Sequence, residues 1–174
     1  MSKKKKQRTR ITTLDMNDPR FIDFYRELSE DKSARATAII GHTFLHGSLQ
    51  KILRKRLVEN KDLFKKIDGF SFQRCVDLCY LTGSISLKEK AELNKLNEIR
   101  NIFAHELVND FNDEDITKKC SGLGLCRILV SGFKFPFKTS REKYTSTVKC
   151  FIYILATRES ETIRIGKHSA FSIS

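Results

Sequence analysis

Arg100 and His105 are two residues near the middle of the chain whose types and spacing could serve one ligand. The arginine carries a charge that cannot be removed, and a histidine can change its charge near neutral pH. In a straight helix the two side chains point roughly 140° apart. They can converge only if the helix unwinds near His105, or if two copies of the motif face each other. Alternatively, Arg100 pairs with an internal carboxylate and His105 caps a helix end.

A helix from Ser86 to His105 must position these two residues. Ser86 and Glu89 have the S-x-x-E spacing of a capping box, which predicts a helix start. Apolar residues then recur at three- and four-residue steps and form one stripe. Arg100 falls inside that stripe, where a charge needs a partner. The stripe consists of Leu93, Leu96, Ile99 and Phe103.

The rest of the chain predicts one α-rich domain, because Phe is frequent (13 residues), Trp is absent and only two prolines occur. Gly83 is placed to end a helix in the left-handed conformation, and the short link after it predicts that the two flanking helices pack antiparallel. Lys61–Gly69 is predicted as a turn. Five other helices are predicted. The first begins at Asp18-Pro19, the second runs from Ser33 to about Val58, and the third runs from Ser71 to about Leu81. The fourth begins after Asn112 or Asp113 and ends at about Lys119, and the fifth begins after Thr139 or Ser140 and ends at about Thr157.

The net charge of +12 is concentrated at the two ends of the chain. Residues 1–10 carry six basic and no acidic residues, residues 134–174 carry eight basic and three acidic, and residues 11–133 are nearly neutral. We predict a disordered basic arm at 1–13, a helical domain at 14–160, and a basic tail at 161–174 that we leave unassigned. The arm either binds nucleic acid without reading sequence or is a solvated tail. Its candidate nucleic-acid-binding residues are Lys3, Lys4, Lys5, Lys6, Arg8 and Arg10.

Cysteine and histidine spacing argues against a metal site. The five cysteines have no paired spacing, and no signal peptide or stretch of ~18 apolar residues is present, so we expect a reduced, cytoplasmic setting. Cys75 and Cys79 are predicted as buried thiols. His42 and His46 lie four residues apart, but Thr43 occupies the position where a metalloprotease helix has its glutamate. We therefore predict core or interface histidines, with no metal and no cofactor.

Residues 70–105 resemble the mannitol operon repressor family. The sequence FSFQRCVDLCYLTGSIS followed by LNKLNEIRNIFAH matches an apolar helix, a Leu-x-Gly-x-Ile turn and a helix ending Ile-Arg-Asn-x-Phe-Ala-His. A weaker likeness extends over about Ser33 to Thr157 and leaves both basic ends outside. That family in turn resembles the HEPN group of helical domains, which carry an arginine, four to six residues, then a histidine. The matching positions are Leu81, Gly83, Ile85, Ile99, Arg100, Asn101, Phe103, Ala104 and His105.

The resemblance implies an all-α, HEPN-like antiparallel helical bundle that forms a homodimer with the motifs in a basic cleft. It implies a regulatory protein acting on nucleic acid, RNA rather than sequence-specific DNA, or on a protein partner; no helix-turn-helix reading head is visible. The alternative is a metal-independent endoribonuclease, a toxin or defence effector held by a protein inhibitor, in which Arg100 holds the scissile phosphate, His105 moves a proton and Asn101 orients the histidine or a phosphate oxygen. A third alternative is a non-catalytic interaction module. None of these involves a membrane.

Overall fold

The computed structural model describes most of the helical domain. The basic arm, the element predicted at Asp18-Pro19, Cys126, the segment that ends at Pro136, and the tail beyond Ile163 lie outside the described residues, apart from a few positions of that first element. The described residues are 24, 26–28, 32–57, 61–106, 110–124 and 137–163.

Helices make up all the regular structure of these residues, which confirms the all-α prediction. The described part contains six helices and no strand. In chain order they are α1 (Ala34–Arg56), α2 (Lys61–Asp68), α3 (Phe72–Leu81), α4 (Leu87–His105), α5 (Glu114–Ser121) and α6 (Ser140–Glu161).

Side-chain oxygens cap the helix starts where the sequence predicts them. The Ser86 hydroxyl accepts from the backbone N–H of Glu89, and the Glu89 carboxylate accepts from the backbone N–H of Ser86, so the capping box is complete. Thr139 and Glu142 form a second capping box before α6. Simpler N-caps at Ser33, Ser71 and Asp113 begin α1, α3 and α5.

The long helix α1 lies at the centre, with α3, α4 and α6 packed against it. Tyr144 donates from Oη to the Ala38 carbonyl, 3.1 Å away, while Lys55 reaches the Ser160 carbonyl at 3.5 Å. Because these contacts join start to start and end to end, α1 and α6 run parallel. Helix α4 runs the other way, since Arg35 in the first turn of α1 donates to the Glu106 carbonyl at its end, 2.9 Å away.

The prediction of a turn over Lys61–Gly69 was wrong, because α2 occupies Lys61–Asp68. This helix is only eight residues long, and tertiary packing stabilises such short helices. Ile67 is buried in the core and Phe64 packs against it. Gln50 of α1 donates to the Ile67 carbonyl at 3.1 Å, which ties the end of α2 to the longer helix.

The turn between α3 and α4 has the predicted conformation. Gly83 has a φ of 69°, in the left-handed region that glycine adopts without a steric penalty. Lys90 of α4 forms an ion pair with Asp77 of α3 at 2.7 Å and places its ammonium 5.1 Å from the centre of the Tyr80 ring. The two helices are therefore antiparallel neighbours, as the short link predicts.

Cysteines in the described residues lie in the core as free thiols. Cys75, Cys79, Cys120 and Cys150 are all buried. Burial raises the pKa of Cys75 to about 11 and the pKa values of Cys79 and Cys120 to about 12. The prediction of buried thiols at Cys75 and Cys79 is confirmed.

Candidate functional site

Helix α4 does not unwind before His105. Its last turn is closed by the backbone N–H of Glu106, which donates to the Ile102 carbonyl at 2.9 Å. The Glu106 carbonyl in turn accepts from Arg35 of α1. With a regular helix through both positions, one chain holds Arg100 and His105 roughly 140° apart. Of the two routes to convergence, only the meeting of two copies fits this helix.

Arg100 lies half-buried beside the apolar stripe of α4, where Leu93, Leu96, Ile99 and Phe103 are all buried as predicted. Its Nη1 donates to the Asn101 side-chain oxygen, 3.0 Å away. Its Nε is buried and has no hydrogen-bond partner. No carboxylate of the described residues forms an ion pair with Arg100. The alternative in which an internal carboxylate neutralises Arg100 therefore finds no support in the described part of the chain.

His42 of α1 lies close to Arg100 and is hydrogen-bonded to α4. Its Nε2–H donates to the Asn97 side-chain oxygen at 3.0 Å, and its ring centre lies 4.3 Å from that of Phe72. The pKa of His42 is lowered from 6.5 to about 4, chiefly by burial; the hydrogen bond to Asn97 opposes this shift, and the charge of Arg100 contributes to it. His42 is therefore neutral at pH 7, and Arg100 supplies the positive charge where α1 and α4 pack together.

His46 follows one turn later on α1 and is half-buried. Its Nε2–H donates to the Phe70 carbonyl at 2.9 Å, and burial lowers its pKa. Both histidines use Nε2 in a hydrogen bond, and no group of three or more potential metal ligands occurs among the described residues. The prediction that His42 and His46 are core or interface histidines agrees with these contacts.

Asn101 and His105 are both exposed, but only Asn101 contacts Arg100. The Asn101 oxygen accepts from Arg100, so the side chain that we expected to orient His105 is turned to the arginine. His105 is the last residue of α4 and is exposed. The structure thus brings Arg100 and Asn101 together and leaves His105 apart. The residues of the arm, Lys3 to Lys6, Arg8 and Arg10, lie outside the described part of the chain.

The sequence analysis did not identify three residues that lie near Arg100 in the structure. Asn97 precedes Arg100 by three residues, a spacing that places two side chains on the same helix face, so this signal was present. His42 and Tyr144 come from other helices, and the sequence offers no signal that pairs them with Arg100. Tyr144 is fully buried, its pKa is raised by burial, and the charge of Arg100 opposes that rise.

The fold of this chain is similar to that of a chain in a solved complex. No protein-family model and no curated protein sequence matches the chain. The MtlR–HPr complex from Escherichia coli, solved by X-ray crystallography, contains a chain that superposes with a TM-score of 0.59 at 14% sequence identity; the match covers 75% of this chain and 94% of that one. At this identity the likeness shows the fold alone. Within the described residues, no helix is long and apolar enough to cross a membrane.

Proposed function

We propose that the chain is a regulatory protein of the mannitol-repressor type, which acts as a HEPN-like dimer by binding nucleic acid or a protein partner. The observation that carries this proposal is the regular course of α4 through His105. It separates Arg100 from His105 within one chain, which disfavours a self-contained catalytic pair. The shared fold with a chain of the MtlR–HPr complex adds support, because that neighbour was solved together with a protein partner.

The chemistry of Arg100 indicates that the partner is anionic. A half-buried guanidinium without a carboxylate partner lowers the free energy of unfolding, because it loses hydration and gains no opposite charge in return. A phosphate or carboxylate of a partner would supply that charge. The guanidinium is suited to this because its donors match such groups with two parallel hydrogen bonds.

The test is a binding titration of the purified full chain. Fluorescence anisotropy would follow labelled Escherichia coli HPr and, separately, a labelled single-stranded RNA in EDTA. Removing a charge-assisted hydrogen bond costs about 1.5–3 kcal/mol, so Arg100→Gln should weaken binding by roughly ten- to a hundredfold. Lys118→Gln is the matched control, because it removes one exposed positive charge from a different helix, α5. Equal affinities for wild type and Arg100→Gln would contradict the role of Arg100.

The second candidate is a metal-independent endoribonuclease whose site forms across two copies. The exposure of His105 together with the unneutralised Arg100 favours it. In this mechanism the ribose 2′-hydroxyl attacks phosphorus and the 5′ oxygen leaves. Arg100 of one copy holds the phosphate, and His105 of the other copy moves the proton. The products would carry 2′,3′-cyclic phosphate.

Mixing two inactive variants distinguishes this mechanism from a site within one chain. Arg100→Gln and His105→Ala should each abolish cleavage of labelled RNA in EDTA. If two copies share the site, random re-pairing of the variants restores one intact site in half of the dimers, which is about a quarter of wild-type activity. No restoration with wild-type activity present would exclude the shared site. Absence of cleavage by the wild type would leave the regulatory proposal as the better account.

A further inference from the structure

A basic surface lies at the junction of α1 and α2, in the part of the chain that is nearly neutral overall. Seven basic residues fall within positions 51–66, against two acidic ones, Glu59 and Asp62. The net charge of this segment is therefore +5, and it is +4 when Asp68, the ion-pair partner of Arg54, is included. We call the exposed lysines of this segment the basic corner. Its members are Lys51, Lys55, Lys61, Lys65 and Lys66.

Folding gathers these residues at one place. Helix α2 turns back beside the last two turns of α1, because Gln50 donates to the Ile67 and Asp68 carbonyls at 3.1 and 3.3 Å. Arg54 forms an ion pair with Asp68 and reinforces the same contact. The lysines of α2 thus share a corner of the molecule with those of α1.

Most of the charge in the basic corner is uncompensated. No hydrogen bond or ion pair involves the side chains of Lys51, Lys61, Lys65 and Lys66 among the described residues. Lys55 reaches only a neutral acceptor, the Ser160 carbonyl. The ends of α1 and α2 favour cations through the helix dipole, but that dipole amounts to about half a charge at each helix end. The dipole favours Lys55, Lys65 and Lys66, which lie in the last turns of their helices, but it does not favour Lys51 or Lys61, and a positive field remains.

The basic surface extends onto α3. Arg74 lies with its guanidinium carbon 4.2 Å from the centre of the Phe70 ring. Arg54 and Arg74 both act on the Cys75 thiol and lower its pKa against the larger effect of burial. Because Phe70 follows the end of α2 by two residues, Arg74 places a further cation beside the link between α2 and α3.

The chemistry of the corner suits a phosphate backbone. Among the side chains whose exposure the structure describes, which do not include Leu63, no exposed large apolar one lies on α2 or on the last two turns of α1. A surface that inserts into a bilayer combines cations with apolar side chains, whereas flexible lysines alone are the usual contacts to nucleic-acid phosphates. The partner class that fits is nucleic acid bound without reading its sequence.

We propose that the basic corner is the surface on which this protein holds the backbone of single-stranded RNA. The inference rests on the proposed function, because it names the partner class and the surface of that regulator. It also moves the main contact from the N-terminal arm to the folded domain. The corner is separated from His105, because the end of α1 and the end of α4 are at opposite ends of the bundle.

The test measures RNA affinity of the full chain against salt. A fluorescein-labelled single-stranded RNA would be titrated at several KCl concentrations with wild type and with the triple variant Lys51→Gln/Lys61→Gln/Lys65→Gln. The slope of log K against log salt is negative, and each lost phosphate contact reduces its magnitude by about 0.7, so the triple variant should reduce the magnitude by about 2. The matched control removes three exposed lysines elsewhere and lowers the net charge equally. It is Lys88→Gln/Lys118→Gln/Lys138→Gln.

Six outcomes decide the inference. A weaker, less salt-dependent interaction in the corner variant alone, with unchanged circular dichroism, supports it. Equal weakening in both triple variants, or no weakening in either, overturns it and leaves the proposed function standing. RNA binding absent while HPr binds overturns the corner without touching the regulatory proposal, and so does corner-dependent binding to phosphatidylglycerol vesicles in place of RNA. Absence of binding to RNA, HPr and vesicles removes both proposals.

Discussion

Acidification should destabilise the protein through His42. The neutral imidazole donates from Nε2 to Asn97 and stacks near Phe72, and its pKa is lowered by burial to about 4. In the unfolded chain the pKa returns to about 6.5. Between these two pH values the imidazole binds a proton in the unfolded state and not in the folded state. The free energy of unfolding therefore has its full value above pH 6.5 and decreases as the pH falls toward 4.

The magnitude follows from the two pKa values. At pH 5 the unfolded imidazole is almost fully protonated and the folded one is about one-tenth protonated, so the free energy of unfolding should fall by about 2 kcal/mol relative to pH 7. Below pH 4 the loss reaches a ceiling of about 3 kcal/mol. His46 acts in the same direction, since burial lowers its pKa too.

Urea unfolding at pH 7, 6 and 5, followed by circular dichroism, measures this loss. His42→Gln keeps a donor for Asn97 and removes the titrating group, so its stability should depend less on pH by about 2 kcal/mol over that range. His105→Gln is the matched control, because it replaces an exposed histidine by the same residue. An unchanged loss in His42→Gln would refute the reasoning.

Two further pairs of variants test the packing of α4 and the backbone. The Glu89 carboxylate is buried and bonded to Arg158 at 2.6 Å, so Glu89→Gln should cost about 2 kcal/mol or more in urea unfolding. Glu98→Gln breaks an exposed ion pair and should cost less than about 1 kcal/mol; equal costs would contradict the importance of burial. Gly83→Ala should lower stability by about 1 kcal/mol because of its positive φ. Gly47→Ala, in a helix with open space around the new methyl group, should raise stability by up to about 1 kcal/mol in thermal melts.

Local signals in the sequence were sufficient for most of the helices. The capping box at Ser86, the apolar stripe that ends at Phe103 and the glycine at position 83 are each decided within one or two helical turns, and all three are present in the structure. Helix α2 was missed because eight residues carry too few apolar positions to define a period. Its Phe64 and Ile67 form a helix face only because α1 lies beside them.

The surroundings of Arg100 depend on contacts between residues far apart in the sequence. His42 and Asn97 are separated by 55 residues, and no spacing rule connects such positions. The even charge balance of residues 11–133 similarly concealed the basic corner, because a sum over a long segment hides where the charges gather once the chain folds. The role of Arg100, Asn101 and His105 stays a prediction until binding and cleavage are measured.

The four buried thiols can be used to measure local opening of the helices that carry them. A thiol reagent needs access and a thiolate. In the native state burial of the four thiols prevents access, and the raised pKa values of Cys75, Cys79 and Cys120 keep those three thiols protonated. Labelling of these four thiols should therefore proceed only through excursions that expose α3, α5 or α6 to solvent. Peptide mapping of the labelled positions would then time the opening of each helix separately, without an engineered probe.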